Sequence, residues 1–131
     1  MNHFRIRIGR WSYLILSISF ALCTLIQIYL AGMAIFIHPS NWIKHSQFGH
    51  LFLTIFPILM LIVAIIGSFP RWAYWQTLGL FGMVFLMYFT ANISFVIPLA
   101  SPMHPVFAFF LLFFASSSAI KAWRIIQGET Q

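Results

Sequence analysis

Apolar residues run along this chain in four unbroken stretches, separated by short clusters of Pro, Ser, Asn and His. Each stretch is about as long as a bilayer-crossing helix needs to be. The first runs from about Trp11 to Ile37 and ends at His38-Pro39-Ser40-Asn41. The second runs from about His45 to Gly67 and is stopped by Ser68, Phe69 and Pro70. The third covers about Trp72 to Ile97 and stops at Pro98, and the fourth opens at Pro105 and reaches about Ile126. Proline suits the first turn of a helix, where its missing N–H has no partner to lose. Pro57, inside the second stretch, removes a backbone hydrogen bond and predicts a kink. The apolar runs are continuous rather than alternating, which argues for helices and against a closed barrel. Short connections place sequence neighbours side by side and antiparallel. The expected fold is an all-α membrane protein, one domain over residues 1–131, with four transmembrane helices in an up-down-up-down bundle.

Composition fixes the solvent. Of the 131 residues 62% are hydrophobic and 6% charged, and the mean hydropathy is +0.96. A water-soluble core of this size could not bury so much apolar surface, so the partner is the lipid bilayer. The net charge of +6 is a topology signal rather than a mark of nucleic-acid binding. In a chain that crosses four times, Arg5, Arg7, Arg10, Arg71, Lys121 and Arg124 fall on one side and Lys44 on the other. That is the positive-inside pattern, with both termini cytoplasmic. Trp11, Trp72, Trp75 and Trp123 lie near the expected cytoplasmic ends, and Trp42 near the outer one, as interfacial anchors. The Arg-rich start resembles a signal-peptide n-region, but the apolar run after it is too long and lacks a small-residue cleavage site, so span one is expected to stay as an anchor.

Candidate chemistry comes from an internal repeat. Laid over Leu86–Leu112 without a gap, Gln27–Leu53 matches Tyr29 to Tyr88, Phe36 to Phe95, Pro39 to Pro98, His45 to His104 and Phe48 to Phe107. The small residues follow, Gly32 on Ala91 and Gly49 on Ala108. A repeated imidazole in two apolar segments predicts a pseudo-twofold site with one histidine from each half. His45 and His104 start spans two and four, which are diagonal in an up-down bundle. Gly49 and Ala108 follow one turn deeper on the same faces, and Gly32 and Ala91 widen the space from the other two spans. Two neutral imidazoles, small residues beside them and an apolar shell are the parts of a bis-histidine haem site. Trp42, Lys44, His50 and Asn41 are placed to donate hydrogen bonds to haem propionates.

Competing chemistries find fewer parts. Zinc or di-iron would call for Cys or carboxylate ligands, and the sole acidic residue is Glu129. No acid–base pair or nucleophile constellation is present, so an electron-transfer or accessory protein is expected before a stand-alone enzyme. His50 competes with His45 for the ligand role on span two. The repeat pairs His50 with Phe109 and so favours His45, whereas a later helix start would favour His50.

The stretches Gln27-Ile28-Tyr29-Leu30-Ala31-Gly32, His45-Ser46-Gln47-Phe48-Gly49 and His104-Pro105-Val106-Phe107-Ala108 resemble a family of small four-helix bacterial membrane proteins of unknown function. They also resemble one half of haem A synthase, in which paired histidines on the second and fourth helices of a four-helix unit hold haem. The glutamate that precedes a histidine there is missing here, and Phe107 stands where the small family often has Asn. The resemblance implies a bacterial cytoplasmic (inner) membrane protein binding one haem b near its outer face. Its role would be electron transfer with a quinol or a redox partner subunit, or haem sensing and handling. A homo-oligomer is compatible with this reading. The alternative is a cofactor-free accessory or assembly subunit of a larger membrane complex, in which Ser116, Ser117, Ser118 and Ala119 mark a helix-packing face.

Overall fold

The computed structural model describes residues 3–128, and among them the architecture is all-helical. The helices are α1 (His3–Phe36), α2 (Asn41–Ile66), α3 (Arg71–Asn92) and α4 (Met103–Ile126). Four segments are long and apolar enough to cross a membrane, as a multi-pass membrane protein requires. Their outward faces carry exposed Ile62, Phe85 and Phe113, a distribution that only a lipid solvent favours.

Helix ends differ from the sequence expectation for identifiable reasons. α1 begins at His3, not near Trp11, because the Arg-rich turn has good helix propensity and needs no lipid to stay helical. His3 therefore lies within α1. At 34 residues α1 extends about 51 Å, well beyond the ~30 Å hydrocarbon layer. α2 begins at Asn41, whose buried side chain donates to the His38 carbonyl at 3.1 Å and the Met33 carbonyl at 3.4 Å. That turn satisfies carbonyls left over at the end of α1. α3 ends at Asn92, and the rest of the expected span forms two 3-10 turns, Ile93–Phe95 and Pro98–Ala100. Pro98 is responsible: it lacks an N–H and drives Ile97 out of the helical region, to φ −126° and ψ 86°. Pro57 is buried inside α2, which continues across it.

α1 packs on α2 and α4, and α3 packs on α4 and α2. One approach is backbone to backbone, where a Cβ added to Gly9 would collide with the backbone of Gly67. Gly67 is equally constrained, since its own Cβ would lie 3.0 Å from the Arg10 nitrogen. The α2–α3 turn also needs one left-handed residue, and Ser68 takes it at φ +50°. The glycine of that turn thus serves the helix contact, and serine carries the left-handed conformation.

Behind this contact the core is pinned by hydroxyls. Fully buried Tyr13 meets Thr77 Oγ1 at 3.1 Å and donates to the Ala73 carbonyl at 3.4 Å, while its ring packs on Phe69. Gln76 bridges α3 to α4, donating to Ser117 and accepting from Ser118, each at 3.2 Å. Ser17 and Thr24 return their protons to carbonyls one turn back. Such pairing removes the cost of burying hydroxyls away from water.

The Gly9–Gly67 contact carries a prediction. Gly9→Ala should destabilise the detergent-solubilised protein by about 1–3 kcal/mol, because rigid backbone must give way. Gly79→Ala, whose Cβ would meet nothing within 4 Å, should leave the thermal midpoint unchanged or raise it, since alanine is the better helix former by about 1 kcal/mol. Equal midpoints for the two variants would contradict the contact.

Candidate paired-histidine site

The two matched histidines meet at the end of the bundle opposite the arginines. His45 lies in the first turns of α2 and His104 at the start of α4, with ring centres 6.2 Å apart and planes inclined at 54°. Each is tied to the helix before it. His45 Nδ1 lies 3.0 Å from the Gln27 carbonyl on α1, and His104 Nδ1 lies 3.0 Å from the Met87 carbonyl on α3. A carbonyl oxygen only accepts, so each Nδ1 must carry the proton and donate it. In the neutral ring the lone pair then stays at Nε2. Metal-binding histidines are commonly fixed in this way by a backbone carbonyl.

Beside the pair lies a cleft of about 180 Å³, lined by residues that include Gln27, Gly49, His50, Tyr88 and Ala91. It is bordered by α2 and α3, the sparsest contact among the neighbouring helix pairs. Gln27 is 6% exposed, and its Oε1 is the buried side-chain atom without a hydrogen-bond partner among the described residues. A Cβ on Gly49 would collide with the side-chain nitrogen of Gln27. Gly49 is therefore small because the carboxamide of α1 crosses it. His50 also lines the cleft, stacked on Tyr88 at 4.8 Å with planes 8° apart.

The other expected site residues divide. Ala91 borders the cleft, but Gly32 and Ala108 do not. A Cβ on Gly32 would meet nothing within 4 Å, so this glycine opens no slot, and Ala108 is buried in the helix core. Trp42 sets its ring edge-on to His45 at 5.3 Å. Lys44 is exposed. Asn41 is committed to the α1–α2 turn and is not a free donor. His38 closes that same turn through Ser40 at 2.8 Å.

Sequence reasoning passed over Gln27 and Tyr88 as site residues. The signal for Gln27 was its polarity within an apolar span. Tyr88 was matched to Tyr29 in the repeat, yet Tyr29 is exposed and Tyr88 turns towards the cleft. Equivalent residues on paired helices thus face different surroundings.

A small membrane protein of four long helices, with two carbonyl-anchored imidazoles at one end, is the class these features define. The chain belongs to the family of unknown function DUF6220, which matches residues 27–93, just over half its length. The matched region holds Gln27, His45, Gly49, His50 and Tyr88 and stops short of His104. No curated protein and no solved structure matches the chain.

The Gln27–Gly49 contact is testable by a double-mutant cycle. Gly49→Ala displaces only the end of a flexible side chain, so it should cost less than Gly9→Ala, about 1 kcal/mol. In a Gln27→Ala background that cost should vanish, because the colliding group is gone. A cost unchanged by Gln27→Ala in thermal unfolding would show that another group meets the new methyl.

Proposed function

We propose that this protein holds one b-type haem between His45 and His104 and serves electron transfer or haem handling in the membrane. The observation that carries the reading is the matched anchoring of the two imidazoles. Both present Nε2 as a lone pair, and their ring centres stand 6.2 Å apart. Two imidazoles sharing a metal at Nε2 distances of about 2.0–2.1 Å have ring centres roughly 6 Å apart. The donor set favours a porphyrin over a bare ion. No group of three or more His, Cys, Asp or Glu comes together among the described residues, and a porphyrin brings four nitrogen ligands of its own.

Space is the demanding part of the fit. The cleft of about 180 Å³ is below the ~300–1,000 Å³ usual for small-molecule sites. Gln27 would have to swing off Gly49 to admit the ring. Its side-chain end is flexible, and its unpartnered Oε1 loses no hydrogen bond by moving. Bound haem supplies a one-electron redox centre. His45 and His104 would hold it through their Nε2 atoms, Trp42 packs on the His45 ring, and His50 with Tyr88 would form the wall towards α3. No second histidine pair lies at the arginine-bearing end among the described residues, so electron exchange with a quinol or a partner subunit belongs to the histidine end.

The same reading sets the bundle as an up-down-up-down array with a pseudo-twofold repeat, both termini in the cytoplasm of a bacterial inner-membrane protein. Its support is the gathering of all five arginines and Lys121 at the end opposite His45 and His104 and the like anchoring of the two histidines. The register of the repeat is not strict. The overlay pairs Gln27 with Leu86, whereas the second acceptor carbonyl is that of Met87.

Visible spectroscopy of protein purified from haem-replete cells is the test. A Soret band with a sharp reduced α band is expected, and His45→Ala or His104→Ala should each abolish the low-spin spectrum. His50→Ala should keep it, with a shifted potential. Colourless wild-type protein that also fails to bind added haem would overturn the reading in favour of a cofactor-free accessory subunit.

Orientation has its own measurement. Reporter fusions after Ile126 should be active only in the cytoplasm, and fusions at Ser101 only outside. The reverse pattern would remove the positive-inside argument.

A further inference from the structure

At the end of the bundle away from the histidines, two cavities adjoin. One, of about 330 Å³, is lined by His3, Arg7, Arg10 and Trp11 together with two isoleucines. The next, of about 460 Å³, lies between α1 and α4 and is lined only by apolar side chains, among them Trp11, Ile15, Ile120 and Trp123. Trp11 belongs to both, and it meets Trp123 edge to face at 6.0 Å. A basic mouth therefore opens directly onto an apolar groove, with an indole pair at the junction. Indoles favour that depth, between headgroups and acyl chains.

We propose that this composite groove binds an anionic glycerophospholipid, with its phosphate between Arg7 and Arg10 and an acyl chain lying between α1 and α4. Among the described residues the charge meets no carboxylate. The sequence has seven Lys and Arg against one acidic residue, and no acidic residue lies among residues 3–128. Arg10 is held in place because its Nε donates to the Gly67 carbonyl at 3.3 Å. That bond leaves its terminal N–H groups for a phosphate oxygen, and the planar fork suits a bidentate contact. The Gly9–Gly67 approach brings that carbonyl within reach, so the same backbone contact also positions the lipid-binding arginine. The groove stands at the opposite end from the histidine cleft and does not depend on any cofactor there.

Native mass spectrometry of the full chain in neutral detergent, titrated with phosphatidylglycerol or phosphatidylcholine, tests the site. Phosphatidylglycerol should be retained in preference to phosphatidylcholine. Arg7→Gln and Arg10→Gln should each weaken retention by about fivefold, the effect expected of one basic residue at a lipid headgroup. Arg71→Gln, a basic residue outside both cavities, should leave it unchanged. Ala119→Phe, which fills the apolar groove, should reduce retention while all basic residues remain. Helical circular dichroism equal to wild type qualifies each variant. Equal retention of the two lipids would overturn the proposal, as would an Arg71→Gln effect as large as that at Arg7, or full retention in folded Ala119→Phe.

Discussion

In a chain surrounded by lipid, a buried polar group that finds no partner inside the protein is costly. That constraint organises this bundle from one end to the other. Tyr13, Ser17, Thr24, Gln76, Thr77 and Ser118 are paired with each other or with carbonyls. At the other end His45 and His104 are paired with carbonyls of α1 and α3. Apolar packing alone cannot choose a register for these helices, because lipid tails are as apolar as leucine. Directional bonds and backbone approaches can. The hydroxyl pins and the Gly9–Gly67 contact fix one end, and the imidazole anchors fix the other.

The two histidines follow from the same rule. An imidazole has two nitrogens, and one carbonyl satisfies one of them. Anchoring through Nδ1 therefore leaves Nε2 as an unspent acceptor on each ring, beside the unpartnered Oε1 of Gln27. The groups that line the cleft therefore include two ring acceptors alongside the hydroxyls of Ser46 and Tyr88. In the proposed haem site the Nε2 lone pairs are the ones that would hold the metal.

The two ends of the bundle have different characters. At the arginine end α1 meets the α2–α3 turn through glycine backbone, beside an open groove bordered by two indole rings. At the histidine end α3 gives way to 3-10 turns, and the contact between α2 and α3, which border the cleft, is sparse. Binding sites need parts that can adjust, and low packing density is where local rearrangement costs least. Membership of DUF6220 over residues 27–93 places the cleft side of Gln27, His45 and Gly49 within the shared segment.

Several features were legible in the sequence because they depend on one dimension. Four apolar runs of bilayer length give four helices, and prolines mark where they stop. The paired spacing of His45 and His104 is likewise a linear signal, and the chain brings the two rings together. Pro98 shows the limit of that reading: hydropathy carried the third span to Ile97, but the backbone left the helix at Asn92 because proline acts on the residues before it. Side-chain direction was beyond the sequence. Gly49, Ala108, Gly32 and Ala91 were all read as walls of one slot, yet only Gly49 and Ala91 border the cleft. Small residues look alike in sequence, and what each is small for depends on the neighbour that crosses it. The carboxamide of Gln27 decides that at Gly49, the backbone of Gly67 decides it at Gly9, and nothing within 4 Å does so at Gly32. Helix count and the pairing of polar positions are properties of the chain itself, whereas the use of each small residue is settled by helices that meet only in three dimensions.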